Sequence, residues 1–184
     1  MPSQLRKIEL ALCDLAIDDP QYKTSRQKTT KLRVLGIRLP VLQKLVCDGF
    51  LFYTKTQKEI LSILDHVWKT SRWHEVLYLP LFYYRNHKHL LGRYEWHVIK
   101  HWIDRVENWE HADALSYLYS ILFERYPNLV LPTLKKWNRS TNPWKQRMSI
   151  VSLIYYASPK RKAPPVKLVL EMVEPLITSY DAYV

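Results

Sequence analysis

Apolar residues recur along this chain at the three- and four-residue spacing of helices, and short polar stretches separate the runs. Residues 3–17 place Leu5, Ile8, Leu12 and Leu15 on one helical face, and Asp18-Asp19-Pro20 ends that helix. The Thr/Ser/Gln-rich residues 22–33 suit either a helix or a loop. Gly36-Ile37-Arg38-Leu39-Pro40 reads as a turn, after which Pro40 opens a helix to about Gly49. Further helices are predicted over 57–68, over 73–84 with a kink at Pro80, over 94–106 and over 109–123. Three more run from Pro127 to near Trp137, from Asn142-Pro143 through Ala157, and over 166–178 after Pro164-Pro165. The 94–106 helix carries its apolar face on Tyr94, Val98, Ile99, Trp102, Ile103 and Val106. Asn108 and Asn142 have the side chain and position of N-caps.

A longer period overlies the helical one. Trp68, Trp102 and Trp137 form one series, and Trp73, Trp109 and Trp144 a second, each repeating about every 35 residues. Each pair brackets a polar stretch such as Lys69-Thr70-Ser71-Arg72 or Asn138-Arg139-Ser140-Thr141-Asn142-Pro143. That is the mark of stacked helical hairpins that bury one face against their neighbours. The expected fold is all-α: a right-handed solenoid of antiparallel helix pairs, with residues 1–184 as a single repeat domain. Tetratricopeptide repeats have a similar period, but their Leu-Gly-x-x-Tyr pattern is missing here.

With 3 glycines and few alternating β-branched runs, the composition argues against a sheet protein. Cys13 and Cys47 lie within apolar patterns and read as small core residues rather than a disulfide or metal framework. The first helix is amphipathic and lacks the apolar core of a signal peptide, and the longest apolar run, residues 76–84, is too short to span a bilayer. A cytoplasmic protein is expected, without a membrane partner.

The formal charge of +11 points to a polyanion, with nucleic acid first, anionic membrane second and acidic protein third. The charge is clustered. Residues 21–47 hold no acid but contain Lys23, Arg26, Lys28, Lys31, Arg33, Arg38 and Lys44. Residues 135–162 hold none but contain Lys135, Lys136, Arg139, Lys145, Arg147, Lys160, Arg161 and Lys162. Of these, Lys28, Lys31, Arg38, Arg139, Lys145 and Arg147 are the candidates for DNA contact, and residues 22–33 would face DNA if they form a loop. The plain alternative is that these clusters only keep the protein soluble.

Trp109 and Asp113 share a helix face, four residues apart. Alone, that pair fits a core indole and an acid matched to the helix dipole. His97 and His101 have the spacing of a metal pair but no Glu after His97, and no Gly-rich phosphate loop occurs. No metal site or cofactor is assigned. His87-Lys88-His89 reads as a polar loop between helices.

The segment Asn108-Trp109-Glu110-His111-Ala112-Asp113-Ala114-Leu115, then Trp137, then Asn142-Pro143-Trp144-Lys145-Gln146-Arg147 closely resembles the DNA alkylation repair glycosylases, which are HEAT-like solenoids. Gly36-Ile37-Arg38-Leu39-Pro40 resembles that family's turn between its first repeats, so the likeness covers the chain from about Lys31 onward. The resemblance implies action on double-stranded DNA that carries a base alkylated at N3 or N7, and a monomer is expected. It implies hydrolysis of the N-glycosidic bond with the base left stacked rather than flipped. It assigns Trp109 to the deoxyribose of the lesion, Asp113 to the oxocarbenium-like sugar and the attacking water, and Arg147 to backbone phosphates. His111 departs from that pattern, since the family more often has an uncharged residue there, and a weak further attraction for DNA is expected from it. The resemblance also places a further aromatic beyond the stretch resembling Tyr180-Asp181-Ala182-Tyr183-Val184, so a chain shortened by its C-terminal repeat is expected. The alternatives are a non-catalytic DNA-binding relative and a helical-repeat scaffold for protein partners.

Overall fold

The computed structural model describes residues 2–17, 19–154, 161–179 and 181–184. Among these every regular element is helical, and the only β pairing is an isolated bridge between Arg33 and Trp73. The chain divides into two compact units, Met1–Leu90 and Leu91–Val184.

The first unit contains α1 (Pro2–Cys13), α2 (Pro20–Gln27), α3 (Leu39–Asp48), α4 (Gln57–Thr70) and α5 (Tyr78–Asn86), with 3-10 turns at Leu51–Thr54, Glu75–Leu77 and Lys88–Leu90. The first helix is shorter than its pattern predicts. Asp19 does not stop it but caps the next one, its carboxylate accepting the Tyr22 N–H at 2.9 Å. Residues 20–27 are therefore helix and the rest of the basic segment is loop. Both cysteines are exposed, against expectation. Each follows a buried residue, Leu12 or Val46, and one step along a helix turns about 100° away from the core.

The predicted 73–84 helix is also corrected. Backbone at Trp73 is extended, with the Arg33 N–H donating to the Arg72 carbonyl at 2.9 Å and the His74 N–H donating to Arg33 at 2.8 Å. What holds this segment open is Glu75. Its carboxylate is buried and accepts backbone N–H bonds from Leu35 at 2.9 Å, Gly36 at 2.8 Å and Ile37 at 3.3 Å. Helix α5 begins only at Tyr78, so Pro80 falls in its first turn, where a missing N–H costs no hydrogen bond and no kink is needed. From Tyr78 to Tyr84 every residue is buried, as suits a helix that is apolar all round.

The second unit contains α6 (Arg93–Ile99), which tightens into a 3-10 turn at Lys100–Arg105, then α7 (Trp109–Arg125), α8 (Pro127–Asn138), α9 (Pro143–Val151) and α10 (Val166–Val173), with a last 3-10 turn at Glu174–Leu176. Helices α7, α8 and α9 pack against one another in pairs, and α10 packs on α9. Tyr94 is half exposed rather than part of the apolar face. The inward positions at the start of α6 are the next two, Glu95 and Trp96. The predicted continuation of α9 to Ala157 ends at Val151, and residues 155–160 lie outside the described residues.

The inner face of α7 meets an aromatic cluster. Tyr119 lies edge-on to Trp96 at 5.3 Å and against Trp137 at 5.5 Å. Its hydroxyl donates to the Ile99 carbonyl at 2.7 Å. Burial first, and the Asp104 charge second, push its phenol well above the ordinary value, which keeps it a neutral donor. Asn138, also buried, donates to Ser149 Oγ at 3.1 Å and to the Met172 carbonyl at 2.8 Å, and so ties α8, α9 and α10 together. These contacts fix which face of α7 and which face of α9 remain outward.

Candidate nucleic-acid interface

Asn108 starts α7 by accepting the His111 N–H at 2.9 Å. Asn142 starts α9 by accepting the Trp144 and Lys145 N–H groups at 2.9 and 3.2 Å. Both caps are where the sequence places them. They set the rotation of two helices whose outward faces meet: Asp113 lies one turn into α7, and Arg147 lies one turn into α9.

The two side chains form a planar fork. Arg147 Nε donates to Asp113 Oδ1 and Nη2 donates to Oδ2, both at 2.8 Å. The carboxylate is 24% and the guanidinium 23% exposed, so the pair sits at the surface without being fully solvated. Two parallel charge-assisted bonds fix the carboxylate plane far better than a single contact would. Arg147 Nη1 also donates to the Tyr183 carbonyl at 2.9 Å, and the Tyr183 ring lies against Trp144 with centroids 5.2 Å apart. Trp109, the first residue of α7, is 40% exposed and one turn before Asp113 on the same helix face.

The two tryptophan series therefore separate physically. Trp68, Trp102 and Trp137 are buried, whereas Trp109 is exposed and Trp73 and Trp144 are part-exposed. The core reading that the spacing alone allowed for Trp109 does not hold. His111 is corrected in the opposite direction: it is fully buried with Nδ1 3.0 Å from Asn108 Nδ2, and it has no surface to offer to DNA.

Lys145 precedes Arg147 by two residues, which turns it to another face of α9. It pairs with Asp104 at 2.9 Å. With exposed Arg139 it lines a cavity of about 870 Å3 that also receives Lys100, Lys135 and Lys136. The acid-free run names Lys135 and Lys136, but nothing local in the sequence signals that Lys100 and Asp104, from another helix, join them. The Tyr183 carbonyl likewise carries no signal that it meets Arg147.

The remaining candidates lie in the first unit. Lys28 is exposed at the end of α2 and Lys31 is exposed in the loop that follows. Arg38 precedes α3, pairs with Asp19 at 3.5 Å and lies over the Tyr22 ring at 5.2 Å. His97 and His101 are exposed, and His87 stacks on Tyr83 at 4.4 Å, beside the 3-10 turn that replaces the expected loop. No group of three His, Cys, Asp or Glu side chains among the described residues is arranged to hold a metal. No helix among them is long and apolar enough to cross a membrane.

A sequence model of the family described as DNA alkylation repair enzyme matches residues 14–184. No curated protein matches the chain.

Proposed function

The chain belongs to the DNA alkylation repair enzyme family, and from that premise we propose that it hydrolyses the N-glycosidic bond of N3- or N7-alkylated purines in double-stranded DNA. The observation that carries this reading is the forked Asp113–Arg147 pair at the surface, one helical turn from the exposed indole of Trp109.

Alkylation makes the purine cationic, so the bond from C1′ to the base breaks with its electron pair leaving on a neutral base. Positive charge then develops on the sugar ring. A carboxylate held in one orientation stabilises that charge without having to be a strong base. A water adds to C1′ and passes its proton to Asp113. Trp109 packs against the deoxyribose, so the base need not leave the stack. Arg147 holds Asp113 through one edge of its guanidinium, and a strand phosphate competes with the Tyr183 carbonyl for the other edge. No metal or cofactor takes part in this scheme. A HEAT-like stack of helical hairpins is part of the same reading, and it is supported by hydrogen bonds that join residues about one tryptophan period apart, such as Arg125 to Leu91 and Asn138 to Met172.

The test is release of methylated purine from alkylated duplex. Asp113→Asn abolishes release while duplex affinity stays near that of the parent. Equal release by the two proteins sinks the proposal. One observation favours a second reading, a DNA-binding relative without turnover: both Asp113 oxygens already accept bonds from Arg147. Under that reading duplex binds with a steep salt dependence, Arg147→Ala weakens it, and no base appears.

A further inference from the structure

The cavity of about 870 Å3 in the second unit is lined by five cations, Lys100, Lys135, Lys136, Arg139 and Lys145, and by one carboxylate, Asp104. Lys145 Nζ lies 2.9 Å from Asp104 Oδ1. The other four form no ion pair with any described residue. Gathering like charges around one cavity is unfavourable unless something of opposite sign meets them.

The fold accounts for only part of the cluster. Lys135 and Lys136 occupy the last turn of α8, where the helix dipole favours a cation. Lys145 stands in the first turn of α9, where the dipole disfavours one. Lys100 comes from the turn after α6, on another part of the chain. Three separate elements thus bring cations to one concavity, and one of them does so against its local electrostatics. Asp104 is itself an anion seated among them, and it is 57% exposed, so it can be displaced into water.

We infer that this cavity is a subsite for strand phosphates of duplex DNA, and that Asp104 is its resident anion, holding Lys145 until a phosphate replaces it. The inference rests on the DNA-repair reading and deepens it, because it names a second contact, on a different face of α9 from Arg147, where the strand backbone is gripped. Phosphodiester oxygens fit this chemistry. Each phosphodiester carries one negative charge shared by two oxygens that accept from lysine, and successive phosphates can meet several cations in turn.

Undamaged duplex DNA is the probe, so that base release does not enter the measurement. Affinity is read at several salt concentrations. Asp104→Asn removes the competing charge at nearly constant shape. It is expected to tighten binding severalfold at low salt and to steepen the log–log salt slope by about 0.9, the value for one more phosphate neutralised. Lys135→Gln and Arg139→Gln, both at exposed positions, are each expected to weaken binding and flatten the slope by about the same amount. Melting curves of all three variants confirm that they are folded, and the two exposed-cation variants keep the test open should Asp104→Asn unfold. Binding whose slope is unchanged in Asp104→Asn, or in the Lys135→Gln, Arg139→Gln double variant, overturns the subsite. A parent that binds duplex but releases no base overturns the glycosylase reading instead and leaves the slopes to decide the subsite.

Discussion

Asp113 and Arg147 stand 34 residues apart in the chain and meet through two parallel hydrogen bonds of 2.8 Å. The separation is about one tryptophan period, and each residue sits one turn after an indole of the same series, Trp109 or Trp144. The fork is specific to arginine, because lysine offers a point charge and cannot hold both carboxylate oxygens in one plane. Arg147→Lys is therefore expected to slow base release about tenfold, a loss of roughly 1.4 kcal/mol or one charge-assisted hydrogen bond, while duplex affinity falls by less. Single-turnover release and binding, measured on the same preparation, separate the two effects. Unchanged release would mean that the fork does not position Asp113.

The indoles give opposite predictions at the same period. Trp102 is fully buried and Trp137 nearly so. Changing either to Ala removes a large core side chain and is expected to cost about 3–5 kcal/mol of stability. Trp109 is 40% exposed, and Trp109→Ala is expected to cost within about 1 kcal/mol while lowering base release more than tenfold. Denaturant melts together with release assays check the contrast. A Trp109→Ala protein that melts as early as Trp102→Ala would mark Trp109 as a structural residue.

In the first unit the most sensitive polar position is Glu75. Its carboxylate closes three buried backbone N–H groups at the turn of Leu35, Gly36 and Ile37. Glu75→Ala leaves those donors unmatched, and the expected cost is about 3 kcal/mol or more, since each orphaned buried donor costs roughly 1–3 kcal/mol. Gly36 is a second check on the same turn. Its φ of +89° is one that side chains rarely adopt, and an added Cβ would stand 2.7 Å from Lys23 Cε and 3.3 Å from the Ile17 carbonyl. Gly36→Ala is expected to destabilise by about 1–2 kcal/mol, mostly through backbone strain. Thermal melts read both. A Glu75→Ala melt like that of the parent would show that water reaches these groups.

How legible all this was in the sequence depends on how local each feature is. Helix α7 and both asparagine caps were readable, because a cap and its helix lie within a few residues of each other. The all-helical class followed from spacing alone. The 73–84 segment was misread because a partner about 40 residues away decides it: the pull of Glu75 on the Leu35–Ile37 backbone outweighs the helical pattern around it. The cysteines and Tyr94 were misread because an apolar pattern fixes the face of a helix only to within about one residue. For the site, the resemblance named Trp109, Asp113 and Arg147, whereas spacing alone left Asp113 an ordinary first-turn acid. It could not say that Arg147 takes both Asp113 oxygens, or that Asp104 enters a ring of cations. Those are meetings of side chains on different helices, and no local signal encodes them.

A second arginine clamps α7 further along, and acid should release it. Arg161 Nε donates to Glu124 Oε2 at 2.8 Å, Nη2 donates to Ser120 Oγ at 3.0 Å, and the guanidinium lies 5.7 Å from the Tyr117 ring centroid. The Lys162 N–H adds a bond to Glu124 Oε1 at 3.1 Å. Burial pushes the Glu124 carboxyl up. The bonds from Lys162 and Arg161, with the Arg161 charge, outweigh it and hold the group below its ordinary value of 4.5. A folded-state value below the unfolded one gives stability that is complete above about pH 4.5 and is lost as pH falls through the folded value. The expected contribution is about 1 kcal/mol, because the pair is only partly shielded from water. Glu124→Gln keeps the shape without the charge. Its melting temperature should fall below that of the parent near about pH 6, and the gap should close as the pH is lowered through the depressed folded-state value, where the parent carboxylate takes up its proton. A gap of constant size across that range would show that packing, and not the Arg161 charge, sets the contribution of Glu124.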